Sequence, residues 1–393
     1  MTKRFVVPDG VELVLHDVSA TDVLPGVLDT LGHQKVFIVC SRTLRRTTDV
    51  VDRIVECLGA RYVGITDEVG EYAPLSNVLA AAVTIRDSGA DVVVTIGGGS
   101  AMDFTRAVQL AVSEDVYTKD ELLARGAIIF AEDGALIATS TAQPRLRQIA
   151  IPTSLRTADW SPTCACLDDE THRKSALLVL RGAPQVIIYD PEIAALAPRR
   201  LLLSTGIRGL DHAANTACVV SPHPLTSLLA EKAATLFIEN LPRIARDPAD
   251  REAMTNCQLA NWYTGTGQMS IAGIHGFSHG AVFVVAPAAA ISQSDAGCLL
   301  MLAQARWLEG LADPPNRRIS AALGRPDESF SSIVLELLLE LGMPTSLDDL
   351  SISDEKVEEM VPLFFADSFS IANNVRPITS EDDVREIFAL IRH

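Results

Sequence analysis

The first half of the chain alternates short apolar runs with segments whose apolar residues repeat at helical spacing. The apolar runs predict strands at 36–40, 61–65, 92–96, 148–152 and 185–189. The amphipathic segments predict helices at 22–31, 47–58 and 77–88. Segment 134–147 has few apolar positions in register and is interpreted as an irregular excursion or a hairpin. Strands that alternate with helices are typical of a mostly parallel sheet covered on both faces.

Beyond residue 190 the strand pattern ends, and apolar residues recur every three or four positions. Val357, Met360, Val361 and Phe364 show this spacing. It predicts helices at 198–219, 224–246, 250–263, 274–285, 294–311, 331–341, 354–365 and 380–391. We therefore predict an α/β domain over residues 1–190, followed by an all-α domain over residues 191–393.

The strand predicted at 92–96 runs directly into a glycine-rich turn, followed by a segment that can be helical. The turn consists of Gly97, Gly98, Gly99 and Ser100. Successive glycines let backbone N–H groups approach a ligand, and a helix that begins there adds the positive end of its dipole. Such a turn suits a diphosphate. A tight turn without a ligand explains the glycines equally well.

The composition and net charge limit the kinds of partner that this protein can be expected to bind. The chain has 393 residues, of which 48% are apolar, and its formal net charge is -17. That charge argues against nucleic acid or an anionic membrane surface as a partner, although it allows a local basic pocket for an anionic cofactor. We find no apolar run of about 18 residues and no signal-peptide pattern at the N-terminus. We expect a cytoplasmic protein that binds a small-molecule substrate, with no membrane partner.

The seven cysteines are scattered, and no CxxC motif occurs. Cys164 and Cys166 are the closest pair, and as alternate residues of a strand they would point the same way. A metal or disulfide role for them is disfavoured, because reduced thiols in apolar segments behave as small hydrophobic side chains.

Four segments in order resemble one family. Residues 97–103 read GGGSAMD, residues 151–162 read IPTSLRTADWSP, residues 189–191 read YDP, and residues 204–212 read STGIRGLDH. Together they resemble the iron-containing alcohol dehydrogenase superfamily. The short spacing within 151–162 is closest to its maleylacetate reductase branch. The resemblance implies a dehydroquinate synthase-like fold, which has an N-terminal dinucleotide-binding α/β domain and an all-α C-terminal domain.

The resemblance also implies NAD or NADP as cofactor. The implied cofactor-binding positions are Gly97, Gly98, Gly99, Ser100, Asp103, Thr153, Ser154 and Lys174. The first four would hold the diphosphate, and Lys174 would reach a ribose. Without the family, Lys174 reads as a solvated surface charge.

Ser41 occupies the place where many members carry an aspartate for the adenosine 2′-hydroxyl, and Arg42 follows it. A carboxylate is thus absent and a guanidinium is near, so NADPH should be tolerated.

The family's metal site is altered in this sequence. The superfamily pattern implies one aspartate and three histidines. Arg208 occupies the aspartate position, His212 and His275 match two ligands, and the last histidine is replaced within Pro287-Ala-Ala. A guanidinium repels a divalent ion, so we predict that no iron or zinc is held in the family way. Two alternatives remain open: a zinc site made of His212, His275 and His279, or three histidines satisfied within a core.

Our preferred mechanism follows from this substitution. Hydride reduction of a carbonyl develops negative charge on oxygen, which Arg208 would stabilise as a fixed charge, unless it clamps a substrate carboxylate through two hydrogen bonds. His279, or His275 one turn before it, would act as general acid. The maleylacetate reductases are metal-free relatives that act on a dicarboxylate keto acid, and they carry asparagine at the Arg208 position. Arg156 lies by the expected cofactor face, where it either meets a phosphate or blocks the site.

These observations predict a metal-independent NAD(P)H-dependent reductase of a small, carboxylate-bearing carbonyl compound. The alternatives are a non-redox lyase or cyclase on the same scaffold and a diverged pseudoenzyme that binds nucleotide. Apolar strands near the N-terminus predict a homodimer, as in relatives.

Overall fold

The computed structural model describes residues 10–130, 136–140, 142–171, 173–218, 223–270, 276–311, 313–371 and 374–393. The chain divides into two compact units, the first ending at Pro198 and the second beginning at Arg199. The strands are β1 (Leu13–His16), β2 (Val36–Cys40), β3 (Tyr62–Thr66), β4 (Val92–Gly97), β5 (Ile128–Phe130), β6 (Leu136–Ala138), β7 (Arg147–Pro152), β8 (Thr163–Leu167), β9 (Lys174–Leu178) and β10 (Val186–Tyr189).

Six of these strands form one parallel sheet within the described part of the first unit. Their order is β1-β10-β7-β4-β2-β3. The central strand β4 pairs with β2 on one side and with β7 on the other. Val92, Val94 and Ile96 pack into the core on one face of the sheet, whereas Val93 packs into the core on the other. Both faces of β4 are therefore buried, as its continuous apolar run predicts.

Helices cover both faces of this sheet. They are α1 (Ala20–Leu31), α2 (Arg42–Thr47), α3 (Val50–Leu58), α4 (Leu75–Ser88), α5 (Gly99–Glu114), α6 (Lys119–Arg125) and α7 (Pro191–Ala195). Helices α4 and α5 contribute to the core that contains Val93, and α1 and α3 contribute to the opposite core. The predicted helix over 47–58 is split, because Thr48 and Asp49 separate α2 from α3.

Asp190 joins α7 to the first unit. One carboxylate oxygen accepts hydrogen bonds from the backbone N–H groups of Glu192 and Ile193, and the other accepts one from the N–H of Ala20 at 2.8 Å. This cap connects the beginnings of α7 and α1. The first compact unit accordingly runs through α7 to Pro198, whereas the sequence placed the boundary after Asp190.

Two hairpins accompany the sheet. Strands β5 and β6 pair antiparallel, so part of the segment interpreted as an excursion or hairpin is a hairpin strand. Strands β8 and β9 also pair antiparallel and were not predicted, because small and polar residues in both segments leave no continuous apolar run. Cys164 and Cys166 both lie on its buried side, as their spacing predicts.

The described part of the second unit is helical. Its helices are α8 (Arg199–Ala217), α9 (Pro224–Arg246), α10 (Arg251–Ser270), α11 (Phe277–Gly280), α12 (Val282–Ala288), α13 (Gln293–Trp307), α14 (Asp313–Ala322), α15 (Phe330–Leu341), α16 (Asp354–Ala366), α17 (Ser368–Ile371) and α18 (Glu381–Ala389). The parallel sheet followed by helices confirms the predicted fold class. The larger differences are that α10 extends beyond residue 263, that the predicted helix 274–285 is divided into α11 and α12, and that α14 and α17 were not predicted. Nowhere in the described chain does a helix combine the length and apolarity needed to cross a membrane.

Two helical glycines provide a matched test of packing. A Cβ on Gly26 in α1 would meet open space, whereas a Cβ on Gly206 in α8 would lie 2.3 Å from the buried Leu241 of α9. We expect Gly26→Ala to raise the free energy of unfolding by up to about 1 kcal/mol, because alanine favours the helix. Gly206→Ala should lower it by about 1–3 kcal/mol through overpacking. Urea denaturation measures both, and equal shifts would contradict the close packing of α8 on α9.

Candidate active site

The glycine-rich turn joins the central strand to a long helix. Gly97 is the last residue of β4, Gly98 is the N-cap of α5, and Gly99 is the first residue of that helix. Gly98 has no side chain to cap the helix, so the first amide groups of α5 are left to another acceptor. The carbonyl of Gly97 accepts a hydrogen bond from the N–H of Thr153, which follows β7. The turn therefore lies at the carboxyl edge of the sheet, where α/β proteins bind ligands.

The three glycines are required for different reasons. A Cβ on Gly97 would lie 2.8 Å from the Cβ of Ala101, so the protein itself excludes a side chain there. A Cβ on Gly98 or Gly99 would have its nearest neighbours at 3.5 Å and 3.7 Å, which is ordinary contact. Neither glycine has a positive φ. Packing within the protein does not explain these two glycines, whereas close approach of a ligand to the backbone does.

Asp103 and Arg106 connect α5 to the segment that follows β7. The guanidinium of Arg106 is fully buried and donates to the Asp103 carboxylate at 3.0 Å. It also donates to the carbonyl oxygens of Ala158 and Thr163. Desolvation raises the pKa of Asp103, while the positive charges of Arg106 and Arg156 oppose that rise. Arg106 thus fixes the backbone that carries Arg156 and the partly buried carboxylate of Asp103.

Lys174 lies near the glycine turn, as the resemblance implies. Its Nζ is 3.4 Å from the centre of the Tyr72 ring, and the N–H of Tyr72 donates to Ser100 Oγ at 3.3 Å. Burial and the charge of Arg156 lower the pKa of Lys174 to about 8. The structure therefore brings Gly97, Gly98, Gly99, Ser100, Asp103, Thr153, Ser154 and Lys174 to one region of the first unit.

Ser41 and Arg42 follow β2, beside this turn. The Oγ of Ser41 caps α2 by accepting from the N–H of Leu44. The backbone N–H of Ser41 donates to the carbonyl of Ile96, and this nitrogen lies 3.7 Å from where a Cβ of Gly97 would be. Arg42 is exposed and forms an ion pair with Glu68, which follows the neighbouring strand β3. The predicted guanidinium is therefore present, but it is paired with the carboxylate of Glu68 from the neighbouring strand.

Arg208 on α8 is the centre of a second group of polar residues, which we call the Arg208 network. It comprises Arg208, Asp211, His212, Asn215, Ser278, His279 and Gln304. Nη1 of Arg208 donates to Asp211 at 2.8 Å and to the Ser278 carbonyl at 3.0 Å. Nη2 donates to Nδ1 and to the carbonyl oxygen of His279, at 3.0 and 2.9 Å. Protein acceptors thus take these terminal N–H groups, and a substrate carboxylate clamped by both would have to displace them.

The hydrogen bonds of Arg208 determine the tautomers of two histidines. A guanidinium only donates, so Nδ1 of His279 accepts and the ring proton of His279 resides on Nε2. The same Nδ1 lies 2.7 Å from Nε2 of His212, which must then be the donor. These tautomers are assigned from the hydrogen-bond chemistry. His279 is consequently a neutral ring whose proton resides on Nε2.

Asp211 is the buried counter-ion of Arg208. Its other carboxylate oxygen accepts hydrogen bonds from Ser278 Oγ at 2.6 Å and Asn215 Nδ2 at 3.0 Å. Burial raises the pKa of Asp211, and the charge of Arg208 opposes that rise. The pair is therefore electrically balanced, with its positive side facing His279.

The segment that carries His279 is held by α8 and α13. Gly276 has a φ of +86°, and a Cβ there would lie 2.2 Å from the side-chain nitrogen of Gln304. Gln304 accepts from the N–H of Ser278 at 2.8 Å and donates to Asn215. His275, which the sequence offered as a second proton donor or metal ligand, lies outside the described residues.

Several members of these groups were not predicted. Asp211 stands three residues after Arg208, a spacing that pairs charges on a helix and was available as a signal. Gln304, Tyr72 and Glu68 come from distant parts of the sequence, and no local pattern marks them.

Family models cover most of the chain. A model described as iron-containing alcohol dehydrogenase matches residues 13–191, and one described as Fe-containing alcohol dehydrogenase family, C-terminal, matches residues 202–391. The chain belongs to the iron-containing alcohol dehydrogenase family. The family and the oxidoreductase class predicted from the motifs are thereby confirmed.

Similar proteins within this family include reductases. The chain is 25% identical to the maleylacetate reductase of Sphingobium indicum, over 91% of this chain and 90% of the relative. The crystal structure of maleylacetate reductase from Agrobacterium tumefaciens matches with a TM-score of 0.81 at 19% identity, over 100% of this chain and 99% of that one. The structure of sulfoacetaldehyde reductase from Bifidobacterium kashiwanohense, in complex with NAD+, matches with a TM-score of 0.85 at 20% identity and the same coverage. These likenesses support the predicted maleylacetate reductase branch.

The residues of the Arg208 network do not fit the iron that the family name implies. A metal ion bound at Nδ1 of His279 would replace a hydrogen bond from a guanidinium and would remain close to that cation. Among the described residues, no group of three His, Cys, Asp or Glu side chains is arranged to hold a metal. The three-histidine alternative includes His275 and stays a hypothesis.

A double-mutant cycle tests the balance between Arg208 and Asp211. Arg208→Met and Asp211→Leu each leave one buried charge without its partner, so each should lower the free energy of unfolding by about 3–5 kcal/mol. The double variant should lose clearly less than the sum. The matched control is the ion pair of the exposed Arg200 with Asp295, whose loss should cost no more than about 1 kcal/mol. Additive losses in urea denaturation would argue against the pairing.

Proposed function

We propose that this family member is an NAD(P)H-dependent reductase of a small, carboxylate-bearing carbonyl compound, and that it works without a divalent metal. The observation that carries the proposal is the hydrogen bond from the Arg208 guanidinium to Nδ1 of His279. It puts a fixed cation where the family pattern has a metal ligand, and it leaves a proton on the opposite ring nitrogen.

The glycine turn supports a dinucleotide cofactor. Gly98 and Gly99 leave room for a diphosphate, and α5 directs its amide groups towards it. The relative crystallised with NAD+ lends further support. When bound, the reduced nicotinamide supplies the hydride that converts the carbonyl to an alcohol.

In this proposal His279 stabilises the developing alkoxide through a hydrogen bond from Nε2. Water finally protonates the alkoxide, because a neutral imidazole that lost its proton would be left as an imidazolate. The cation at Nδ1 withdraws electron density from the ring, which makes the proton on Nε2 a better hydrogen-bond donor to a developing alkoxide. Because Arg208 and His212 both direct N–H groups at Nδ1, the ring is held in this tautomer. Arg208 is a positioning residue that acts through His279, and its charge is balanced by Asp211.

The substrate class is supported by relatives rather than by a contact. Maleylacetate reductase and sulfoacetaldehyde reductase are both named for carbonyl substrates that carry an anionic group. Since protein acceptors take the terminal nitrogens of Arg208, this residue acts here as a fixed charge and not as a carboxylate clamp. The homodimer and the cytoplasmic location stay predictions.

Turnover after metal removal tests this function. NADH and NADPH oxidation is followed with a panel of keto acids and aldehydes, before and after dialysis against EDTA. We expect the same rate and no stoichiometric iron or zinc in the purified protein. Arg208→Met should lower kcat by about 100-fold, the scale of a lost hydrogen-bond donor to the oxyanion, while its KM changes little.

The control is Arg200→Met on the same helix, which removes an exposed arginine and should leave kcat unchanged. Circular dichroism verifies that both variants are folded. Loss of activity in EDTA with recovery on adding iron or zinc would refute metal independence. Nucleotide binding without turnover of any carbonyl compound would favour a pseudoenzyme or a non-redox enzyme instead.

The pair of Arg42 and Glu68 generates a prediction about the 2′-position of the adenosine ribose. Glu68 supplies a carboxylate beside Ser41 and neutralises Arg42. Glu68→Gln should therefore free Arg42 and raise the affinity for NADPH relative to NADH by about two- to fivefold, the range of an exposed charge pair. Fluorescence titration with both cofactors measures the ratio. The control is Glu56→Gln on the exposed side of α3, and an unchanged ratio in Glu68→Gln would mean that this pair does not sense the ribose.

A further inference from the structure

Arg156 lies at the beginning of α5. Its Nη1 is 3.8 Å from the position that a Cβ of Gly99 would take, and its Cδ is 3.9 Å from it. Arg156 directly precedes the turn Thr157–Trp160. The buried Arg106 holds that turn by donating to the carbonyl of Ala158. The position of the Arg156 backbone is therefore fixed by α5 itself.

Lys174 approaches the same helix end from β9. It stacks on the ring of Tyr72, whose N–H donates to Ser100 in the first turn of α5. The charge of Arg156 lowers the pKa of Lys174, after the effect of burial. This effect requires the two cations to be close enough to repel each other. They are thus gathered on one helix N-terminus by different elements of the first unit.

Two carboxylates face this group of cations. Asp103 is hydrogen-bonded to Arg106, and Glu71 is hydrogen-bonded to the Tyr72 hydroxyl. The charges of Arg106, Arg156 and Lys174 all act on Asp103, so three cations are gathered beside the glycine turn. In a chain of net charge -17, such a cluster of cations favours an anion. The helix dipole at a turn without side chains favours it further.

We propose that Arg156 binds the diphosphate of the dinucleotide at the glycine turn, with Lys174 as the second cation. The inference rests on the proposed nucleotide cofactor and adds a residue to its site. A guanidinium donates two parallel hydrogen bonds to phosphate oxygens, and the anion relieves the repulsion between the two side chains. This assigns a binding role to the arginine that the sequence also allowed to be an obstruction.

Binding measurements on the full-length protein separate these roles. The ligands are NADH, ADP-ribose, which keeps the diphosphate, and adenosine, which has none. Arg156→Gln should lower the affinity for ADP-ribose by about tenfold or more, which is the scale of a charge-assisted hydrogen bond. The affinity for adenosine should be unchanged. Arg156→Lys should retain part of the affinity. The matched control is Arg145→Gln, which removes an exposed arginine of the same unit and should have no effect.

The pH dependence provides a second readout. An anion favours charged Lys174, so the affinity of the wild-type protein should fall as the pH rises through about 8. In Arg156→Gln the ammonium loses a repelling neighbour, so the fall should move to higher pH. In Lys174→Met the fall should disappear, although Asp103 and Glu71, the carboxylates that face Lys174, are retained in every variant.

The outcomes are distinguishable. A folded Arg156→Gln that binds ADP-ribose as tightly as the wild-type protein, or more tightly, overturns this inference alone. A wild-type protein that binds neither NADH nor ADP-ribose overturns the proposed function together with it. Selective loss of ADP-ribose affinity, with adenosine unchanged, supports the diphosphate contact.

Discussion

The organisation of the second unit's polar core depends on one property of arginine: its guanidinium donates hydrogen bonds and accepts none. Every partner of Arg208 must therefore be an acceptor. Asp211, two carbonyl groups and Nδ1 of His279 fulfil this requirement. The ring proton of His279 is moved to Nε2 as a result, and Nε2 of His212 must carry a proton. One arginine thus determines which ring nitrogens of both histidines carry protons.

Local sequence predicted the elements that local forces determine. The apolar run of β4 and the three glycines after it are contiguous, so the strand, the turn and the beginning of α5 follow from one segment. The long amphipathic helix α9 was predicted with its observed bounds for the same reason. By contrast, the helix predicted over 274–285 is not continuous, and α11 begins at Phe277 because Gly276 adopts a positive φ against Gln304. That contact joins residues far apart in the sequence, so the spacing of apolar residues along the chain does not predict it.

In the candidate site too, some features follow from local sequence and others depend on contacts between distant residues. The sequence around Arg42 predicts a guanidinium that is available to a phosphate, because the partner of Arg42 follows a different strand. Parallel strands end at the same edge of the sheet, and so Glu68 after β3 reaches the residue that follows β2. Asp211 was equally unforeseen, although its helical spacing from Arg208 allowed the inference. An electrostatic partner on a neighbouring strand can be predicted only when the fold is known. A partner on the same helix can be predicted from its spacing in the sequence.

The two groups of cations in this protein differ in burial and in surroundings. Arg208 is nearly buried and has a buried carboxylate as its partner, because removing a guanidinium from water without a counter-ion is prohibitively costly. Arg156 and Lys174 remain partly exposed and lie beside the first turn of α5. A buried ion pair suits a permanent role in shaping a neighbouring ring. Two partly exposed cations at the positive end of a helix repel each other, and an arriving anion would relieve that repulsion.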